Sequence, residues 1–324
     1  MRKSLLRMTL RQLQVFRAVC ESRSYSRAAE AMSLTQPAVS LQVRQLEEQV
    51  GLPLFEYVGR KLYLTEAAES LLQASGDIFD RLDSLEMNLS SLQGSLRGEL
   101  RLAAASSIQY VLPHLLAAFR RRFPEISFRV DVASRAQIIQ RLNDNRDDLV
   151  LMGLVPADRA LEFFPFLNNP IVAVAAPDHP LASQQQLPLS RLEDAMVLQR
   201  EAGSGIRKAC DEFLQLKRVH LQQTMQLGST EALVQGAIAG LGVALVPGHA
   251  AAPYIRHGEL VCLNVVELPL MRSWCAVHAR GKRLSPVAEA FLAFLREERA
   301  LIRRLAEPFE PPIPMATRAA AAPQ

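Results

Sequence analysis

The stretch SRSYSRAAEAMSLTQPAVSLQVRQLEEQVGLPLFEYVGRKLYLTEAAE, residues 22–69, decides the reading of this 324-residue chain. Ser24 stands where a helix cap belongs, and the short run Tyr25 to Met32 carries adjacent Ala28 and Ala29, small enough to let another helix cross closely. Ser33 and Leu34 form a turn, Thr35 is positioned to cap a third helix, and Pro37 falls in its first turn, where no intrahelical donor is lost. In that helix Val39, Val43, Leu46 and Val50, spaced 4, 3 and 4 apart, share one buried face. Gln36, Ser40 and Arg44 line the opposite side with Gln42 beside them, offering amide, hydroxyl and guanidinium groups to a major groove. A lone helix of this kind would be an ordinary amphipathic helix with a solvated face. Here Leu54 to Thr65 follows as strand, basic glycine turn and strand: a wing whose Arg60 and Lys61 can meet phosphates or the minor groove, while Leu62 and Leu64 alternate inward. Tyr57 and Tyr63 read as core.

Upstream, Leu13, Phe16, Ala18, Val19 and Cys20 recur at helical spacing from Leu10 until Ser22 to Ser24 break the pattern, so a first helix precedes the turn. Charge is concentrated in the same region. Residues 1–65 hold ten Lys/Arg against five Asp/Glu, whereas the remainder holds 27 cations against 28 acids. A local cationic excess of this kind attracts phosphate, although a solvated surface can also produce one.

Downstream there is no proline from Glu66 to Pro113, and Leu71, Ser75, Ile78, Leu82, Leu85, Leu89, Leu92 and Leu96 alternate at spacings of 4 and 3. A stripe this narrow predicts a coiled-coil seam and a dimer, with a long helix packed on its own domain as the alternative. Gly94 and Gly98 supply the break that ends the helix.

Beyond it, the apolar runs Leu100–Ala105, Ile126–Val132, Leu149–Leu154 and Ile171–Ala176 alternate with helical patterns at 111–122 and 137–143. A second alternation runs from Met196 through Val246, and Trp274–His278 with the helix 286–299 returns to the first. Mostly parallel sheets with helices on both faces are implied, in two lobes joined by two crossings. The expected organisation is a winged helix-turn-helix over 1–65, a linker helix over 66–97, and an α/β domain over 98–306. In that domain, lobe I comprises 98–172 and 270–306 and lobe II comprises 173–269, and a disordered tail rich in Pro and Ala follows over 307–324.

Arg27-Ala28-Ala29, Thr35 to Ser40, Leu46-Glu47, Leu54-Phe55 and Leu64-Thr65, in this order, resemble the DNA-binding domain of the LysR-type transcriptional regulators. The resemblance implies sequence-specific, DNA-binding transcriptional regulation by a homodimer or homotetramer on pseudo-palindromic promoter DNA, with RNA polymerase as a further partner. It assigns DNA contacts to Arg27, Thr35, Gln36, Pro37, Ser40, Gln42, Arg44, Arg60 and Lys61, while the heptad stripe itself gives dimerisation to Leu71, Ile78, Leu82, Leu85, Leu89 and Leu92. Two positions depart from the family pattern: Tyr57, where arginine is common, implying a missing backbone contact, and Ala68, where glycine is common, implying an altered helix start. Family members begin near Thr9, which marks residues 1–7 as an extension with Met8 as an alternative start. LFEYVGRKLYLTEA and LGSTEALVQGAIAGLGVALVP are similar to the branch containing regulators of Calvin-cycle genes, implying an anionic effector.

The family's effector domain resembles periplasmic binding proteins and holds a small molecule between its lobes. Strand ends and helix starts are where such a ligand binds in open α/β sheets, although each polar group there can also simply cap a helix. On that pattern the candidates are Ser106, Ser107, Ser204, Arg207, Thr230 and Pro247, with Ser134, Arg135 and Met152 added; His249 reads as a satisfied surface histidine.

An α/β enzyme is the rival class. Gly203-Ser204-Gly205 lacks the GxSxG spacing, Gly240-Leu241-Gly242 runs into a strand, and the six histidines form no HxxxH pair, so neither catalysis nor a cofactor or metal is expected. Four scattered cysteines read as buried free thiols. With no apolar run of spanning length and no signal core, the expectation is a cytoplasmic protein without a membrane partner.

Overall fold

The computed structural model describes residues 5–92, 95–157, 159–298 and 300–301. The expectations for Gly94, Arg299 and the tail 307–324 lie outside the described residues. The chain divides into two compact units, Met1–Glu86 and Met87–Gln324.

In the first unit α1 (Leu10–Ser22) begins with a capping box: the Thr9 hydroxyl accepts from the Gln12 amide, and the Gln12 side chain accepts from the Thr9 amide. Ser24 caps α2 (Tyr25–Ala31). Pro37 lies in the first turn of α3 (Gln36–Val50), but Thr35 makes no side-chain cap bond despite its extended N-cap backbone, so its hydroxyl is left for other partners. Ala28 and Ala29 are buried against Val15, Val19, Val39 and Val43, which is the close crossing that small residues permit.

Strands β1 (Phe55–Val58) and β2 (Lys61–Leu64) form an antiparallel hairpin pairing Val58 with Lys61, and Gly59 takes the φ of 63° that its two-residue loop requires. Helix α4 (Glu66–Leu92) starts without disruption at Ala68, which is buried: Thr65 caps it and ties back to Pro53. Its early turns, with Leu71, Leu72 and Phe79, close the core around Phe16 and Leu46.

From Gly98 the second unit runs β3 (Gly98–Ala105), a 3-10 turn over Ser106–Tyr110, α5 (Leu112–Arg122), β4 (Ile126–Ala133), α6 (Arg135–Asn143), β5 (Leu149–Met152) and β6 (Leu161–Asn168). It crosses to β7 (Ile171–Ala175), β8 (Met196–Arg200), α7 (Gly205–Leu216), β9 (Gln223–Leu227), α8 (Thr230–Ile238), β10 (Val243–Pro247), α9 (Gly248–Arg256) and β11 (Val261–Cys262). The chain returns as β12 (Ser273–Ala279) and α10 (Pro286–Glu297).

The sheet orders are β4-β3-β5-β12-β6 and β11-β7-β10-β8-β9. In each, four of the five strands run the same way, so the sheets are mostly parallel with one reversed strand apiece. β7 and β12, which carry the chain across from the other lobe, enter their sheets in the reverse sense. The crossing also falls earlier than a boundary at 172/173, because β7 begins at Ile171.

Helices cover both faces of each sheet. Phe119 of α5 and Phe291 of α10 pack on Leu100 and Leu102, while Ile138 of α6 packs with Ala103 and Val150 on the reverse. In the second lobe α7 covers Ala173 and Val243, and α8 and α9 cover Val172 and Ala244. The α8–β10 connection needs Gly242, whose φ is 152° and where a Cβ would lie 2.3 Å from the Met196 carbonyl oxygen.

Candidate functional site

The first unit presents one polar face. Gln36, Pro37 and Arg44 of α3 are exposed, Ser40 and Gln42 are half-buried, and Thr35 and Arg27 are exposed beside them. Among the described residues Arg27, Arg44, Arg60 and Lys61 form no ion pair, so their charge is available to phosphate. Leu41 is 54% exposed on the same helix and escaped the sequence reading, since one apolar residue in a polar face carries no periodic signal.

Tyr57 and Tyr63 are not core: they are 67% and 42% exposed on the wing. Tyr25 and Phe16 take the core place instead, packing their rings on Phe55 at 5.9 and 5.7 Å. Burial pushes the Tyr25 hydroxyl and the Cys20 thiol each up to about 12, so both are neutral. Cys262 is half-buried rather than buried, because it sits on the two-residue edge strand β11.

Along α4 the expected seam divides. Leu71 packs in the core of its own unit and Ser75 is buried there, its hydroxyl donating to the Leu72 carbonyl. Ile78, Leu82, Leu85, Leu89 and Leu92 are exposed apolar residues. Leu96 packs against the core of the second unit. The bare stripe therefore begins at Ile78.

Between the two lobes of the second unit lies a cleft of about 590 Å³, part of it open to solvent. Six of the candidate side chains line it: Ser106, Ser107, Ser134, Arg135, Met152 and Ser204. Arg207, Thr230 and Pro247 do not line it. The Arg207 guanidinium is held by Asp211 at 2.8 Å, Thr230 accepts from Arg200 at 2.8 Å, and Pro247 is buried at the end of β10. His249 is satisfied, bonded to the Asn168 carbonyl oxygen at 3.2 Å, but it is buried against Trp274 rather than on the surface.

The two cap positions behave differently. Ser134 closes a capping box on α6, whereas Ser204, at the N-cap of α7 and only 5% exposed, makes no cap bond. Ser204, Gly205 and Ile206 line the cleft, so the N-terminus of α7, where helix amides lack intrahelical partners, lies at its wall.

Sequence reasoning missed Asn169, Arg200, Glu201 and Arg272, all in the cleft wall. Arg200 ends the otherwise buried strand β8, a charge at a strand end that could have been noticed. Asn169 and Arg272 lie on the two crossings, which only the tertiary fold brings together: the Asn169 amide donates to the Arg272 carbonyl at 2.8 Å, and Ile171 and Leu270 exchange a further pair at 3.0 and 2.9 Å. A further tie between the lobes runs from the Tyr110 hydroxyl to Glu231, which also accepts from Tyr254 at 2.8 Å.

Around Glu201, burial alone would raise the carboxyl; hydrogen bonds from Arg200 and from its own amide, with the Arg200 charge, outweigh this and hold it below its usual range. Among the described residues no group of three His, Cys, Asp or Glu side chains could hold a metal ion, and no helix is long and apolar enough to cross a membrane.

Residues 10–69 match the bacterial regulatory helix-turn-helix family of lysR type, and residues 93–300 match the LysR substrate binding domain. The chain belongs to the LysR family of transcriptional regulators. The regulator is 43% identical over 295 residues to the RuBisCO operon transcriptional regulator of Allochromatium vinosum, covering 91% of this chain and 98% of that one. It is 39% identical to the transcriptional activator CmpR of Synechocystis, over 89% of this chain and 94% of CmpR. Among solved structures, the regulatory domain of Synechocystis CcmR in complex with 2-PG superposes with a TM-score of 0.59 at 34% identity, covering 61% of the regulator and 96% of that domain. The regulator is thus a DNA-binding protein with an effector domain of two α/β lobes.

Proposed function

We propose that the regulator binds roughly palindromic promoter DNA through paired recognition helices, and that an anionic small molecule held between its lobes controls that binding. DNA contacts fall to Arg27, Thr35, Gln36, Pro37, Ser40, Gln42 and Arg44, with Arg60 and Lys61 on the wing. Pairing of two chains, in a dimer or a tetramer, uses the apolar stripe Ile78, Leu82, Leu85, Leu89 and Leu92, whose exposure on one helix is the signature of an unmade seam. The protein works in the cytoplasm, contacts RNA polymerase at the promoter, and is not an enzyme.

The observation that carries the ligand class is the charge of the cleft: Arg135, Arg200 and Arg272 face a single carboxylate, Glu201, beside the N-terminus of α7. Three cations against one acid, with helix amides adjacent, favour an anion. CcmR, a relative of similar effector-domain fold, holds 2-PG.

A thermal-shift panel tests the reading. A ligand that binds only the folded state stabilises it, by about 2.7 kcal/mol at a hundredfold excess over Kd. Small carboxylated and phosphorylated compounds, 2-PG among them, are expected to raise Tm, and neutral or cationic metabolites of similar size are not. A response confined to neutral compounds would contradict it.

A further inference from the structure

The three cleft arginines are not equivalent. Arg200 is fully engaged: Nε and Nη2 donate to Glu201 at 2.7 and 2.8 Å, and Nη1 donates to Thr230 at 2.8 Å. Arg135 directs its Nε to the Leu154 carbonyl at 3.3 Å. The Arg272 guanidinium has no hydrogen-bond or ion-pair partner among the described residues, and its Nε is buried without one. Beside it Asn169, 4% exposed, has a buried Oδ1 that also lacks a partner. Buried polar atoms are ordinarily paired, so two orphans on hydrogen-bonded neighbours in a cleft wall mark a place where something else completes them.

Resting on the anionic-effector reading above, we propose that Arg272 and Asn169 form the anchoring subsite, and that its ligand is a hydroxylated organic anion. The requirement is complementary. Arg272 Nε is a cationic donor and needs an acceptor, best an oxyanion, since charge-assisted bonds are the strong ones. Asn169 Oδ1 is an acceptor and needs a donor, which a bare carboxylate or phosphate does not carry and a neighbouring hydroxyl does. The two main chains are locked together by the 2.8 Å bond from Asn169 to Arg272, so a ligand bridging both side chains holds both crossings between the lobes at once. The subsite therefore also couples occupancy to the geometry of the hinge.

The test uses the full chain and two matched probes, 3-phosphoglycerate and 3-phosphonooxypropanoate, which differ only in the hydroxyl. Trp274 is the sole tryptophan, is buried, and donates to Ser107 in the cleft wall at 3.4 Å, so its fluorescence reports occupancy without a label. The hydroxylated probe is expected to bind the wild type about tenfold or more tighter than its analogue, because a site built to bond a hydroxyl rejects ligands lacking it. Asn169→Ala removes that discrimination and keeps binding of both probes. Arg272→Met lowers affinity for both by at least about tenfold, and without ligand its Tm is not lower than the wild type's, whereas a purely structural arginine would lower it. Arg272→Lys, which keeps the charge and lacks the Nε donor, provides a second variant with an expected intermediate affinity.

Equal binding of the two probes by the wild type overturns the hydroxyl assignment, and undiminished binding by both Arg272 variants overturns the anchor. If 2-PG and both probes leave Trp274 fluorescence and Tm of the wild type unchanged, the anionic-effector reading itself fails.

Discussion

Arg200 and Glu201, adjacent in the chain, are clamped by two hydrogen bonds of 2.7 and 2.8 Å at the wall of the cleft. One of the three cationic side chains there is thereby neutralised before any ligand arrives. Arg200 is 5% exposed, so removing its partner leaves a buried charge poorly compensated. Glu201→Gln is expected to destabilise the protein by on the order of 2 kcal/mol, the scale of hydrogen bonds to charged groups. Chemical denaturation measures this, and an unchanged midpoint would show the pair to be a surface contact in effect.

Arg44 stands exposed on α3 with no ion pair among the described residues. If it contacts one base in two places, Arg44→Ala weakens operator binding by about 1–3 kcal/mol and relaxes sequence preference at one position. Fluorescence anisotropy against a matched and a scrambled duplex separates this from a phosphate contact, which would weaken both duplexes alike.

Leu85, 52% exposed on α4, belongs to the stripe that remains after Leu71 is taken into the core of its own unit. Leu85→Asp is expected to weaken self-association by about 3 kcal/mol or more, because two copies of a leucine worth ~1.5–3 kcal/mol each leave the seam. Sedimentation velocity reads the shift toward single chains. Leu71→Asp should instead lower Tm, and if it dissociated a stable fold just as well, the seam would begin earlier than Ile78.

Burial holds the His249 imidazole below its ordinary 6.5, against a smaller opposing effect of the bond to the Asn168 carbonyl oxygen. The native state thus favours the neutral ring more than the unfolded chain does. Its contribution to stability is complete above pH 6.5 and is lost as the pH falls below that value toward the lowered one. His249→Gln is expected to flatten the acid side of the Tm-against-pH profile, and an identical acid slope in the variant would remove His249 from that limb.

What could be read in advance follows from how local each signal is. Helix α3 was legible because Pro37 and the apolar spacing of Val39, Val43 and Leu46 all lie within one stretch of chain. The wing was legible from the Gly59-Arg60 turn. Strand β6 was not: it is a sheet edge carrying Pro165, and its partly exposed face gives no clean alternation. Helix α9 was hidden by Pro253 within it. At the cleft, the serines that follow strands were visible as strand-end chemistry, while Asn169 and Arg272 are more than a hundred residues apart and become neighbours only when the two crossings pair. Thr230 misled because its hydroxyl, correctly placed at a helix start, is occupied by Arg200.

The central claim is that occupancy of the cleft changes how the paired chains hold DNA. The most direct measurement is a footprint of the full chain on a promoter duplex at rising concentrations of 2-PG, with Trp274 fluorescence followed in the same samples. The protected region or its half-saturation point is expected to shift over the concentration range in which the fluorescence changes. A saturating fluorescence change with a footprint identical at every concentration would contradict it.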